Sequence, residues 1–227
     1  MDNGLATILY IHSNLRLTRD PMNKLFIIGL PRTGTTSISV ALLDHFKVAH
    51  TAFTKRAFEL ADVISDCPCF SDYQQLDVLF PDSKFVYLQR PLDQWLPSIQ
   101  MLLNKMQPRL DGETYVSPIL KRSFGQTFDW NSVDNPLDAA HLTSCYQRHE
   151  QAVMDYFHGR DNILSIDISQ AESLPQLLAF LDLPYSGDEQ FPHLNIGKRV
   201  DHWKETKHPN KVNANAAGRE RCKFFDY

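Results

Sequence analysis

The sequence predicts a three-layer α/β fold with a central, mainly parallel sheet flanked by helices. Three observations carry that expectation. Short apolar runs alternate with helical patterns along most of the chain, as βα units require. The first run, "KLFIIG" (Lys24 to Gly29), ends in a glycine turn that opens a helix. The clearest later run, "KFVYLQR" (Lys84 to Arg90), is followed at once by Pro91, which suits a helical first turn.

Taken in order, "KLFIIG" is nearly continuous in apolar residues, as a strand buried on both faces should be. "TTSISVALLDHF" follows as a helix, with Ile38, Leu42 and Phe46 four residues apart on one face. "LADVIS" (Leu60 to Ser65) reads as a second strand, stopped by Asp66 and the "CP" pair. "YQQLDVLFP" reads as a short helix closed by Pro81. After the Lys84 strand, a helix is expected to about Lys105. Residues 106–135 hold turn formers and few periodic apolar positions, and are read as an acceptor-side lid or insertion. Leu142, Cys145, Tyr146, His149, Val153 and Tyr156 mark a long amphipathic helix, with His149 on its apolar face as a core residue. "NILSID" is a further strand and "SLPQLLAFLDL" a further helix. These spans divide the chain into an N-terminal extension (1–21), a main domain (22–203) and a polar C-terminal tail (204–227).

The 227 residues, 43% hydrophobic and 22% charged, suit one domain with a real core. A net charge of −4 gives no general attraction to nucleic acid, so any anion site must be a local cluster. No apolar run reaches the ~18 residues of a membrane span. "LATILYIHSNL" near the N-terminus is too short and polar for a signal peptide. A cytoplasmic location is expected. The four cysteines (Cys67, Cys69, Cys145, Cys222) form no secreted framework, and "CPC" is poor zinc spacing, so no metal is expected.

The spacing of Gly29 and Gly34 matches the glycine frame of a phosphate loop, GxxxxGK[ST]. Thr35 stands where that loop carries lysine. Anion binding survives the change. Backbone N–H groups of Thr33 to Thr36 lie at a helix start, where the dipole favours negative charge. The hydroxyls of Thr33, Thr35, Thr36 and Ser37 add donors, and Arg32 adds a cation inside the loop. On these residues alone, a helix capped by Thr33 after a glycine turn is the plain alternative. Arg90 ends a strand and Ser98 follows eight positions on. Ligands of open parallel sheets bind beyond the carboxyl ends of strands, so the loop, Asp66 and Arg90 fall on one rim. An arginine and a hydroxyl make a good pair for a second phosphate.

"GLPRTGTTS", with "SKFVYLQRPLDQWLPS" and "FPHLN", resembles the sulfotransferases that use 3'-phosphoadenosine 5'-phosphosulfate (PAPS), over about Lys24 to Asn195. Their first motif, P-[KR]-[ST]-G-T-[ST], is matched by Pro31, Arg32, Thr33, Gly34, Thr35 and Thr36. Their second, a strand-end arginine with a serine eight residues on, is matched by Arg90 and Ser98. The resemblance implies a P-loop-type fold, PAPS as co-substrate, 3'-phosphoadenosine 5'-phosphate (PAP) as product, and direct in-line transfer without metal to a hydroxyl or amine. It implies that the first loop holds the 5'-phosphosulfate and the Arg90–Ser98 pair the 3'-phosphate, with Arg32 stabilising charge on the bridging oxygen. Asp66 falls where many members place a histidine base, and is the expected base; His50 and Glu59 are further candidates. Ser37 replaces an adenine-stacking aromatic residue of many members. "GKRVDHWK" loosely echoes their C-terminal basic motif, which makes Lys198 and Arg199 candidates for the 3'-phosphate and places Trp203 near the nucleotide. The departures fit a divergent, bacterial-type member.

Two other readings remain open at this stage: a small P-loop nucleotide kinase, and a nucleotide-binding scaffold without catalysis. The residues name no single acceptor; small molecules, carbohydrates and peptides all fit, and neither nucleic acid nor stable membrane insertion is expected. Tyr115, Phe124, Phe128 and Trp130 either line an acceptor pocket or anchor a long loop by packing.

Overall fold

The structure, a computed structural model, describes residues 24–187, 190–192, 194 and 202–217. The proposed N-terminal extension, Lys198, Arg199 and Cys222 lie outside the described residues. So do His193 and Asn195 of "FPHLN". Five strands form one parallel sheet: β1 (Leu25–Ile27), β2 (Val48–Ala49), β3 (Val63–Ser65), β4 (Lys84–Leu88) and β5 (Ile163–Ile166). Their order is β2-β3-β1-β4-β5, so the chain adds strands to one side of β1 and then to the other. Helices α1 (Thr35–Ala41), α2 (Lys55–Leu60), α3 (Cys69–Leu79), α4 (Leu92–Leu110), α5 (Pro118–Thr127), α6 (Ala139–Tyr156), α7 (Ser173–Phe180) and α8 (His202–Glu205) connect and flank them. The predicted α/β fold with a parallel sheet is therefore the fold observed.

Alternation along the strands builds the layers. Successive side chains of a strand point to opposite faces. Leu25, Ile27, Val86 and Leu88 join Ile38, Leu42, Leu174 and Leu177 on one face. Phe26, Ile28, Phe85 and Tyr87 join Tyr73, Leu76, Val153 and Phe157 on the other. Both faces are covered, which explains the continuous apolar runs.

Three stretches differ from the sequence expectation. β2 is only two residues long and carries no recognisable run. It holds its place through partners on both sides: β3, and a C-terminal segment whose Lys211 bridges Val48 in parallel. Val48 N–H donates to Asn210 O at 2.9 Å, and Val212 N–H to Val48 O at 2.8 Å. A segment read as a polar tail thus covers a sheet edge that would otherwise present unpaired backbone groups. Helix α3 starts at Cys69, earlier than "YQQLDVLFP" suggests.

The third is the 106–135 stretch, which holds the end of α4 and all of α5. Phe124, Phe128 and Trp130 are buried there with Trp95, Ile99, Leu103 and Tyr146, in a third core cluster under the Leu30 loop. Three of the four aromatic residues are packing anchors; Tyr115 is 89% exposed. Truncating a fully buried aromatic removes its transfer energy and leaves a cavity. We expect Phe128→Ala to cost ~3–5 kcal/mol in urea unfolding, and Tyr115→Ala less than ~0.5 kcal/mol. Equal effects would contradict this packing.

His149 sits on the inner face of α6, in contact with the Tyr73 and Tyr87 rings. Its Nε2 pairs with Phe70 O at 2.8 Å, and its buried Nδ1 has no partner among the described residues. Burial pushes its pKa down to about 4, against ~6.5 in an unfolded chain. Between those values the unfolded state binds more protons, so stability rises with pH. It is lost as pH falls from about 6.5 towards about 4, by up to ~3 kcal/mol. Urea midpoints measured from pH 7 to pH 4 should fall less steeply for His149→Phe than for the parent.

Candidate active site

Every parallel strand points its carboxyl end at the same rim, and three strand ends deliver side chains there. His50 follows β2 directly, Asp66 follows β3 directly, and Arg90 lies two residues past β4. The loop after β1 supplies the fourth wall. One cavity is lined by Pro31, Arg32, Gly34, Thr35, Thr36, Ser37, His50, Asp66, Arg90, Leu102 and Leu194.

The loop's glycines answer to crowding. A Cβ on Gly29 would meet Leu88 Cβ at 2.5 Å and Thr33 Oγ1 at 2.6 Å. Gly34 has φ 107°, and a Cβ there would lie 2.2 Å from Ile168 Cδ1. Gly34, not Thr33, is the N-cap of α1. The Thr33 hydroxyl instead donates to Leu30 O at 2.7 Å, and its N–H also turns back to Leu30 O, at 3.2 Å. Thr33 therefore spends its donors inside the turn and does not line the cavity.

Arg32 has φ 74°, a left-handed conformation that costs a residue with a Cβ ~1–2 kcal/mol. Long-range hydrogen bonds hold it. Arg90 Nη1 donates to Arg32 O at 2.7 Å, Trp95 Nε1 donates to Pro31 O at 2.9 Å, and Arg32 Nε donates to Ser98 Oγ at 2.8 Å. Tyr146 OH donates to Arg90 O at 2.8 Å, fixing that strand end. The motifs around Arg32 and around Arg90 and Ser98 are thus physically one site. Burial, then the like charge of Arg90, push the Arg32 pKa down, and Asp66 opposes them. Its guanidinium nonetheless stays charged at neutral pH.

Asp66 also takes a left-handed turn, with φ 57°, which aspartate tolerates better than most residues. Its Oδ2 accepts from Thr35 Oγ1 at 3.0 Å and lies 3.9 Å from His50 Nε2. His50 Nε2 is 3.1 Å from Thr36 Oγ1, and Nδ1 is 2.9 Å from Ser65 Oγ. The ring of Trp203, in α8, packs against His50 at 5.4 Å between centroids. Burial lowers the His50 pKa, Asp66 raises it, and Lys211 lowers it further.

Of the residues expected at the site, Pro31, Arg32, Gly34, Thr35, Thr36, Ser37, Asp66 and Arg90 line the cavity; Ser98 joins through Arg32. Glu59 is instead engaged with Lys55 and Arg56 on α2. The apolar wall of Leu102 and Leu194 was not expected, and neither was the serine pair beside His50. The position of His50 hinges on β2, which no local pattern announces. A second polar group, Asp129, His141 and Cys145, gathers ligand-type atoms within 4.8 Å. Arg148 already places a cation there, donating to Asp129 Oδ2 at 2.8 Å.

A family model described as a sulfotransferase domain matches residues 43–200. The match takes in His50, Asp66, Arg90 and Ser98 and begins after the Gly29 to Ser37 loop. A comparison with curated proteins gives no match. With more than half its length matched, the chain belongs to the sulfotransferase domain family.

Proposed function

We propose that the protein transfers a sulfuryl group from PAPS to a hydroxyl or amine acceptor, directly and without metal. The observation that carries this reading is the convergence of two arginines at one loop. Arg32 and Arg90 meet there through the Arg32 carbonyl, and Ser98 meets Arg32. The donor set fits a nucleotide with two separate anionic groups. First-turn N–H groups of a helix lack intrahelical partners, and Thr35, Thr36 and Ser37 of the first turn of α1 line the cavity. These would hold the 5'-phosphosulfate, while Arg90 and Ser98 would hold the 3'-phosphate.

The co-substrate supplies an activated sulfur, and the protein supplies position and charge. Arg32 faces the charge that develops as the sulfate–phosphate bond breaks. Asp66 supplies the negative charge that draws the acceptor's proton. Leu102 and Leu194 give the acceptor an apolar surface. A nucleoside-triphosphate kinase uses a loop lysine and magnesium to neutralise its donor; here the lysine's position holds Thr35, a neutral hydroxyl that donates to Asp66 at 3.0 Å.

Calorimetric titration without magnesium tests this reading. PAP should bind, and ATP and ADP should bind much more weakly. ATP binding only with magnesium would favour a kinase. Arg90→Ala should lose ~2–5 kcal/mol of PAP affinity; unchanged affinity would show that the 3'-phosphate sits elsewhere. Asp66→Asn should lower PAPS turnover at least ~tenfold and leave PAP affinity within about threefold.

A further inference from the structure

Proton bookkeeping around His50 fixes its tautomer. Ser39 Oγ lies 2.6 Å from Thr35 O, an acceptor only, so the Ser39 hydroxyl proton points there. Ser39 Oγ and Ser65 Oγ are 2.7 Å apart, so the proton between them belongs to Ser65. Ser65 has then spent its proton, and its other close oxygen contact, His50 O at 3.1 Å, can only share it. The 2.9 Å contact of Ser65 Oγ with His50 Nδ1 must therefore be donated by Nδ1–H. Neutral imidazole carries one ring proton, so Nε2 holds a lone pair. Thr36 Oγ1, at 3.1 Å, donates to it.

Thr36, His50 and Asp66 all line one cavity, and Nε2 lies 3.9 Å from Asp66 Oδ2. Resting on the sulfotransferase reading, we propose that His50 Nε2 takes the acceptor's proton, that Asp66 acts as its counter-charge, and that Ser65 and Ser39 are positioning residues that set its tautomer. The acceptor oxygen or nitrogen forms its bond to sulfur as the bond from sulfur to the bridging oxygen breaks. The proton passes to Nε2, and the electron pair of the broken bond leaves on the phosphate oxygen. The imidazolium formed lies 3.9 Å from Asp66 Oδ2. Thr36 lies within the anion loop, so an anion that draws its hydroxyl releases the lone pair.

The surroundings hold the ring in this state. Asp66 after β3 is the facing anion, and Lys211 in the C-terminal segment is the facing cation. Lys211 Nζ donates to Trp203 O and to Thr206 O, the latter at 2.9 Å, and sits over the Trp203 ring. From α1 come the neutral Thr36 and Ser39, from β3 Ser65, and from α8 the indole of Trp203. Burial keeps the imidazole neutral near pH 7, which is the form a base needs.

Long-range ¹H–¹⁵N correlation on the full chain reads the tautomer without any acceptor. Near pH 7.5, His50 should show a protonated Nδ1 and a bare, pyridine-type Nε2; acidification should add the proton at Nε2. Ser65→Ala should mix the two tautomers. A protonated Nε2 at pH 7.5 would overturn the proposal. In kinetics, His50→Asn keeps a donor towards Ser65 and removes the ring base. PAP release from PAPS with phenol, which stays protonated at this pH, and with water alone, should fall ~100-fold or more, while PAP affinity stays within about threefold. Release within about threefold of the parent would assign the proton to Asp66 instead. A parent protein that neither binds PAP nor consumes PAPS would remove the sulfotransferase reading itself, whatever the tautomer.

Discussion

The hydrogen bond from Arg90 to the Arg32 carbonyl is the contact on which the site's geometry depends. It ties the end of β4 to the loop after β1 and holds that loop in a left-handed turn. The turn costs ~1–2 kcal/mol by itself, so the loop needs external support to persist. Trp95 and Ser98 of α4 add two more long-range bonds, and Tyr146 of α6 anchors Arg90 in turn. Trp95 is fully buried among Phe128 and Tyr146. The aromatic cluster built by α4, α5 and α6 is therefore the foundation of the loop, and packing in the 106–135 stretch reaches the site through it.

Parallel topology explains why so few residues suffice. Hydrogen bonding between β1, β3 and β4 aligns their carboxyl ends. A residue placed just past each end meets the others without a long connection. Building outward from β1 to both sides leaves a crevice at its carboxyl end, the usual ligand position in such sheets. Crowding there is severe enough to exclude any side chain at Gly29, where Leu88 and Thr33 occupy the space a Cβ needs.

Legibility in the sequence followed the reach of each interaction. β1, β3 and β4 are short apolar runs because both sheet faces are covered, so the strands and the residues just after them could be read directly. Asp66 and Arg90 were found in this way. β2 could not be found, since two residues are held only by β3 and by Asn210 to Val212, distant in sequence. His50 was correspondingly a secondary candidate. Helix α5 was hidden for another reason: past its first-turn proline, "PILKRSFGQT" carries serine, glycine and threonine, weaker helix formers, and only a few apolar positions. Its stability comes from burying Phe124 against Phe70 and Phe128, which tertiary structure alone provides.

The charge arrangement gives the cavity its direction. Burial disfavours the charge of Arg32, and the nearby Arg90 adds to that cost. Asp66 offsets part of it, but its Oδ2 is already engaged with Thr35 and faces His50. Two guanidinium groups with one neighbouring carboxylate leave an excess of positive charge at the loop, although the chain as a whole carries −4. Such a focus attracts an anion locally. Desolvation sharpens the attraction, because fixed donors in a low-dielectric cleft need no rearrangement when charge develops before them. In the same lining, a histidine 3.9 Å from a carboxylate is suited to receiving a proton. A cavity lined by both cations and a proton acceptor has the groups that transfer of an anionic group to a protic acceptor demands.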